Sequence, residues 1–344
     1  MLEPSSRYSR QILFSEIGKA GQKRLLESKV VIVGCGALGT VQAESLCRAG
    51  VGTIRIVDRD FVEESNLQRQ TLFCEEDAKN GLPKAVAAQK RLAQINSQTA
   101  IEPLVADVNF KNIEQLVDGM DCILDATDNF ETRFLINDVS VRNRIPWVYG
   151  AAVGSEGLTM TIVPGRSPCL RCVFEQSPPP GMSPTCDTAG VLAPIVNVIA
   201  SIQVAETLKI LTGNLDRVSR KLLSINVWEG VWKQLDVSTA KTLGTCPCCN
   251  DGRFDFLQGK LGSLATTLCG RDSVQISNLE GTAVDFGELA RRLEPIGPVH
   301  YNQFLLRFNV ERYEIAVFAD GRSIVRGTKD TEVARTVFSK YIGA

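Results

Sequence analysis

Along the first half of the chain, apolar runs of strand length alternate with stretches whose apolar residues recur at helical spacing. Residues 30–34 (VVIVG) form a short continuous apolar run ending on glycine, as a parallel strand buried on both faces does. A helical pattern follows through Ala49, and Thr53–Asp58 (TIRIVD) reads as the next strand. Further strand-length runs lie at 101–105, 122–125 and 147–150. Helical segments at 84–95, 113–117 and 130–142 fall between them. Alternation of this kind predicts an α/β fold, a Rossmann-like, mostly parallel sheet with helices on both faces.

The pattern changes after Gly157. Residues 158–163 and 222–227 read as strands of an antiparallel extension, separated by a proline-rich loop (177–184) and a long apolar helix from Ala189 to Leu211. From Gly252 onward the order is strand, helix, two or three strands, helix, with Asp320-Gly321 marking a tight hairpin. The predicted division is therefore a nucleotide-binding domain over 1–251 and a small α+β domain over 252–344. No internal repeat is evident.

Composition narrows the class. Hydrophobic residues make up 44% and charged residues 22% of the 344, as in ordinary globular proteins. A net charge of -1 points to neither a nucleic-acid nor a membrane partner. Residues 1–10 are polar and unlike a signal peptide, so a cytoplasmic protein is expected. The most apolar long segment, 189–211, is interrupted by Pro194, Asn197, Gln203, Glu206 and Lys209, which predicts a buried helix rather than a membrane span.

Gly34-Cys35-Gly36-Ala37-Leu38-Gly39 is a G-x-G-x-x-G that follows a strand and opens a helix. Glycines allow the tight turn and close backbone approach, and the helix start offers free N–H groups to phosphate. Asp58, at the end of the next strand, is placed to accept ribose hydroxyls. Asp60 and the polar stretch Ser65-Asn66-Leu67-Gln68-Arg69-Gln70 come next, with Asn66 and Arg69 suited to phosphate oxygens. Pro83 suits the first helical position and puts Lys84 in the first turn, where it opposes the helix dipole. A cationic set of this kind suits a pyrophosphate leaving group. Around the strand 122–125, Asp121 only flanks the element and Asp125 could serve structure or function. Asp128, in the loop, suits Mg²⁺.

Eleven cysteines, an odd number without an export signal, favour metal or thiol chemistry over a disulfide framework. Cys35, Cys47, Cys74 and Cys122 sit in or beside apolar runs and read as small hydrophobes. Cys169-x-x-Cys172 and Cys246-x-x-Cys249 supply four thiolates for a closed structural Zn²⁺ site, with Cys248 as a spectator or alternative ligand. A redox motif is disfavoured because neither pair clearly opens a helix. Cys186 follows the proline-rich loop and precedes the apolar helix, whose positive end would lower its pKa. Cys269 is expected in a strand, and the single histidine, His300, carries no assigned role.

Taken together these stretches resemble the ThiF/MoeB family, bacterial relatives of ubiquitin-activating enzymes. The resemblance rests on Arg7-Tyr8-Ser9-Arg10-Gln11, the glycine loop, Ser65 to Gln70, Gly81-Leu82-Pro83-Lys84 and Thr127-Asp128-Asn129. It continues through Cys169-Leu170-Arg171-Cys172, Thr185-Cys186 and Ala189-Gly190-Val191, covering residues 7–250. It implies that ATP is bound with Asp58 and Asp60 around the ribose and the reacting centre. Asn66, Arg69 and Lys84 would contact the phosphates and Asp128 would position Mg²⁺. Arg10 would be supplied to the partner subunit's ATP in a homodimer, and Cys186 would link covalently to the substrate. The implied substrate is a small ubiquitin-like sulfur-carrier protein ending in Gly-Gly. Its terminal carboxylate attacks the α-phosphate, giving an acyl-adenylate and pyrophosphate for molybdopterin, thiamine or tRNA-thiolation chemistry. An NAD-dependent oxidoreductase and a non-catalytic nucleotide-binding scaffold remain alternatives. Some relatives end in a rhodanese domain, but Cys269-Gly270-Arg271-Asp272-Ser273 does not match its catalytic loop, so no sulfurtransferase activity is expected.

Overall fold

A computed structural model describes residues 7–175, 189–242, 245–261, 265–267, 272–276, 284–319 and 321–342. The chain divides into two compact units, Met1–Leu261 and Gly262–Ala344.

The first unit is built on an eight-stranded sheet in the order β3-β2-β1-β4-β5-β6-β7-β8. Its strands are β1 (Lys29–Val33), β2 (Thr53–Asp58), β3 (Ala100–Val105), β4 (Cys122–Asp125), β5 (Trp147–Val153), β6 (Glu156–Ile162), β7 (Lys221–Asn226) and β8 (Val231–Asp236). Pairing is parallel from β3 through β5 and antiparallel from β5 to β8. The apolar run of β1 is explained by its two faces. Val30 and Ile32 pack under helices Ala37–Ala49, Lys84–Ile95 and Ala193–Leu211, whereas Val31 and Val33 pack under Ile113–Val117 and Phe130–Asn143. Each such side chain contributes roughly 1.5–3 kcal/mol by leaving water.

Helix Ala193–Leu211 is long and apolar enough to cross a membrane by length and composition. In the fold it packs against helix Ala37–Ala49 and against β5 and β6. Its polar residues are satisfied inside the protein: Gln203 Nε2 donates to Asp125 O (2.9 Å) and Val148 O (3.0 Å), and Gln42 Nε2 donates to Gln203 Oε1. It is a core helix. It begins at Ala193 rather than at Ala189, because Gly190 and Leu192 hydrogen-bond back to Gly154 and Pro194 occupies the first turn.

Among the elements that escaped the sequence pattern are helices Ser9–Leu13, Gly18–Glu27 and Glu75–Lys79 and the strand β8. All six residues of β8 are exposed, so the strand carries no apolar alternation. The N-terminal arm is anchored: buried Tyr8 accepts a hydrogen bond from Asn96 Nδ2 at 2.9 Å, and its ring lies against Gly50.

The second unit is a six-stranded antiparallel sheet in the order β11-β12-β13-β14-β10-β9. The strands are β9 (Ala265–Thr267), β10 (Ser273–Ile276), β11 (Val299–Tyr301), β12 (Leu305–Val310), β13 (Tyr313–Phe318) and β14 (Ser323–Arg326). Helices Phe286–Leu293 and Thr331–Tyr341 cover one face, where Leu289, Leu293 and Val337 meet Phe308, Ile315 and Val325. Asp285 and Asp330 cap the two helices by accepting backbone N–H bonds. Four strands lie between those helices instead of two or three, the additional one being the short β11. At the β13–β14 hairpin, Phe318 N donates to Arg322 O; Asp320 of the expected turn lies outside the described residues, as does Cys269. Residues 252–261 pack within the first unit, with Phe256 stacked on Phe134 and Asp255 paired with Arg171.

Candidate functional site

The order β3-β2-β1-β4 puts a topological switch between β1 and β4, and the loops leaving their carboxyl ends face the crevice where open α/β sheets bind ligands. Gly34 has φ +94°, and a Cβ on it would lie 2.6 Å from Ala126 O. A Cβ on Gly39 would run into Gly34 O. Both glycines are thus dictated by packing. Gly36 differs: among the described residues a Cβ there would meet only Gln70 Nε2, at 3.9 Å, and toward them its surface is open. Gly36 is also the cap of helix Ala37–Ala49 and has no side chain to satisfy the first-turn N–H groups, which leaves them for an anion.

Asp58 ties this loop to β2. Its Oδ2 accepts from Cys35 N (2.5 Å) and its Oδ1 from Asp60 N (2.7 Å), while each oxygen keeps a lone pair for a further donor. Burial pushes its carboxyl pKa up, and Lys84 works against that rise. A bridge between Phe61 and Pro83 brings the next loop alongside, and Lys84 N donates to Asp60 O. Lys84 Nζ then pairs with Asp60 Oδ2 at 3.0 Å, with the lysine side chain 5% exposed. Pro83 caps this helix and Lys84 is its first residue, one position earlier than expected.

Asn66 is buried and its Oδ1 accepts from Glu63 N, while Arg69 Nη1 donates to Ser65 O, so both are engaged with their own turn beside the glycine loop. Asp125 is a structural tie: it accepts from Thr127 N, Thr127 Oγ1 and Gly150 N, and pairs with buried Arg133 at 3.3 Å. Asp121 accepts from Lys29 N and fixes the strand start. Asp128 stands exposed beyond β4, with Asn129 Nδ2 at 3.3 Å.

Arg59 was not singled out from the sequence, although it sits between two acids in Asp58-Arg59-Asp60. It pairs with Asp107 at 2.8 Å. Burial opposes its charge, but Asp107, Asp60 and Asp128 hold its pKa above the ordinary value.

Arg10 is not part of this constellation. It is exposed on helix Ser9–Leu13, next to Tyr8, whose ring lies at the Gly50 end of helix Ala37–Ala49. The glycine loop is at the other end of that helix, roughly 20 Å away at 1.5 Å per residue.

The second cluster lies on the Phe130–Asn143 face of the sheet. Cys169, Cys172, Cys246 and Cys249 bring their sulfurs within 4.8 Å of one another, with Cys172 and Cys249 at 3.4 Å and Cys169 and Cys246 at 3.6 Å. Sulfurs about 2.3 Å from a central ion form a tetrahedron with edges of about 3.8 Å, so the set fits a four-thiolate metal site. Cys169 caps a single helical turn, Leu170–Val173, contrary to expectation. Cys248 stays outside the cluster as a buried thiol accepting from Asn137 Nδ2 (3.3 Å). Asn137 Oδ1 meanwhile accepts from Leu170 N, so one side chain braces both cysteine segments. The neighbouring Asp138 accepts from Phe256 N and Leu257 N, and burial pushes its pKa up to about 6. Neither residue carried a sequence signal. Cys35, Cys47 and Cys122 are buried as expected. Cys74 is exposed; it caps helix Glu75–Lys79 and its thiol contacts Asp77. Cys186 lies outside the described residues.

Comparison with known proteins adds a second line. The profile of the ThiF family matches residues 8–248. The chain is 44% identical over 340 residues to the sulfur carrier protein ThiS adenylyltransferase of Bacillus subtilis, covering 98% of this chain and all of that one. It is 39% identical over 252 residues to the SAMP-activating enzyme E1 of Haloferax volcanii, covering 73% of this chain and 91% of that one. Among solved structures it resembles E. coli MccB with ATP, at TM-score 0.59 and 25% identity over 67% of this chain and 71% of that one.

Proposed function

The chain belongs to the ThiF family, and on that premise we propose that it adenylates the C-terminal glycine carboxylate of a small ubiquitin-like sulfur-carrier protein with ATP, releasing pyrophosphate. The observation that carries the proposal is the buried Lys84, paired with the partly exposed Asp60, set against an open phosphate loop. Such a cation suits the charge carried by phosphate groups and by a leaving pyrophosphate.

In this mechanism the triphosphate lies over Gly36 and the first-turn N–H groups, with ribose hydroxyls donating to the remaining lone pairs of Asp58. Lys84 exchanges Asp60 for phosphate oxygens, and Arg69 turns from Ser65 O toward the same oxygens, with Asn66 holding the turn. Asp128 would hold Mg²⁺, which would supply charge neutralisation for the leaving pyrophosphate. The carrier carboxylate is already a nucleophile, so no general base is needed. What the site supplies is alignment and cations that suppress the repulsion between carboxylate and phosphate. Cys186 is assigned to a later step, in which its thiolate displaces AMP and retains the carrier as a thioester.

Arg10 is too far from its own glycine loop to act there, which supports its delivery to the other subunit of a homodimer. Four thiolates in a closed tetrahedral set suit Zn²⁺ in a structural role. We propose that the first unit, through Leu261, is the catalytic domain and that the second is a separate accessory domain. The molybdopterin, thiamine and tRNA-thiolation pathways all employ such carriers.

The direct test is intact-mass analysis of a carrier ending in Gly-Gly after incubation with the chain and MgATP. Gain of one AMP supports the proposal; an unmodified carrier, with ATP demonstrably bound, contradicts it. Two glycine substitutions separate loop packing from binding. Gly36→Ala is expected to keep wild-type thermal stability yet lose ATP affinity, because its methyl fills the open surface. Gly39→Ala is expected to lower stability by about 1–3 kcal/mol. Equal thermal stabilities for the two variants in a melting experiment would contradict the assignment.

A further inference from the structure

We propose that Gln70 is a specificity-determining residue that reads the last peptide unit of the substrate, its Oε1 accepting the terminal glycine N–H while its Nε2 donates to the reacting carboxylate. The assignment rests on the adenylation reaction proposed above. Gln70 is 4% exposed, and among the described residues its buried Oε1 has no hydrogen-bond partner. A buried acceptor left unpaired is costly, and it points to a donor that arrives with a ligand. The same side chain puts Nε2 at 3.9 Å from the Cβ position of Gly36, the one open glycine of the loop. The backbone holds it there: Gln70 N donates to Asn66 O, and Asn66 Oδ1 accepts from Glu63 N.

Whatever lies on Gly36 therefore lies against this carboxamide. During the reaction that is the α-phosphate and the carboxylate approaching it. Lys84 and Arg69 already answer the negative charge, to which a neutral amide adds little. What a carboxamide adds is one donor beside one acceptor, and a peptide C-terminus presents the complement, an N–H next to a carboxylate. A simple carboxylate lacks the N–H and would leave Oε1 buried without a partner. Sites built to hydrogen-bond a substrate group reject analogues lacking it far more strongly than apolar pockets reject a missing methylene.

The experiment compares pyrophosphate exchange on a carrier ending in Gly-Gly with one ending in Gly-sarcosine, whose last nitrogen carries methyl instead of hydrogen. Wild type is expected to prefer the natural end by about tenfold or more in kcat/KM. Gln70→Met, of similar size, is expected to be slow and nearly indifferent between the two, with KM for ATP unchanged. Should that variant fold poorly, Gln70→Glu keeps the acceptor and removes the donor, and it is expected to retain the preference at a lower rate. Equal preference in wild type and Gln70→Met, or a loss confined to KM for ATP, overturns the assignment. Absence of exchange by wild type with every unmodified carrier overturns the adenylation proposal itself, and the assignment with it.

Discussion

Lys84→Ala is expected to lower adenylate formation by about 10²–10³-fold while the chain stays folded. The lysine is nearly buried at the start of its helix, where the dipole disfavours a cation, and Asp60 at 3.0 Å is among the groups that compensate it. A position so unfavourable for a resting charge makes sense when phosphate replaces Asp60 as the partner. Removing the amine takes from Asp60, itself 23% exposed, the cation that lies 3.0 Å away, at a cost of about 1–3 kcal/mol. The double substitution Lys84→Ala with Asp60→Asn separates the two effects. It is expected to recover the stability and none of the activity. Single-turnover formation of adenylate, with a thermal melt on the same samples, reads both. A turnover near wild type in the folded single variant would remove Lys84 from the chemistry.

The other large effect concerns the cysteine cluster. Stripping metal with a chelator, or replacing Cys172 by serine, is expected to cost more than about 4 kcal/mol and to melt the antiparallel side of the first unit. The reason is topological. Cys169 and Cys246 are 77 positions apart, so an ion held between them ties together two distant segments, which Asn137, the Arg171–Asp255 pair and the Phe134–Phe256 stack also brace. Zinc content by atomic emission and hydrogen exchange along residues 165–175 and 245–260 report the change. Wild-type protein that loses its metal without losing exchange protection would show that the four thiols do not hold the fold.

Much of the parallel half of the fold was legible because its central strands β1 and β4 are buried on both faces. A continuous run such as Val30 to Val33 has no other economical place in a folded chain. The fully exposed β8 gave no such signal, and its place at the sheet edge follows from its pairing with β7 alone. The glycine loop was legible for a related reason. Gly39 is required by its contact with Gly34 O inside the strand–turn–helix itself, whereas Gly34 is required by Ala126 O of the neighbouring β4 end. Side chains serving through tertiary contacts were not legible. Arg59 is defined by Asp107, forty-eight positions away, and Asn137 by thiol and amide groups of segments far off in sequence. Cys74 misled because its apolar neighbours Leu72 and Phe73 are buried while it turns outward to cap a helix. Paired C-x-x-C motifs announced a metal site, but only the fold shows that Cys248 is excluded from it.

The central claim is that this chain transfers AMP to a protein carboxylate, and ATP–pyrophosphate exchange tests it most directly. The exchange should appear only when a carrier with a free Gly-Gly carboxylate is present, and should vanish when that end is amidated. Exchange that is independent of the carrier, or that persists with the amidated end, would contradict the account.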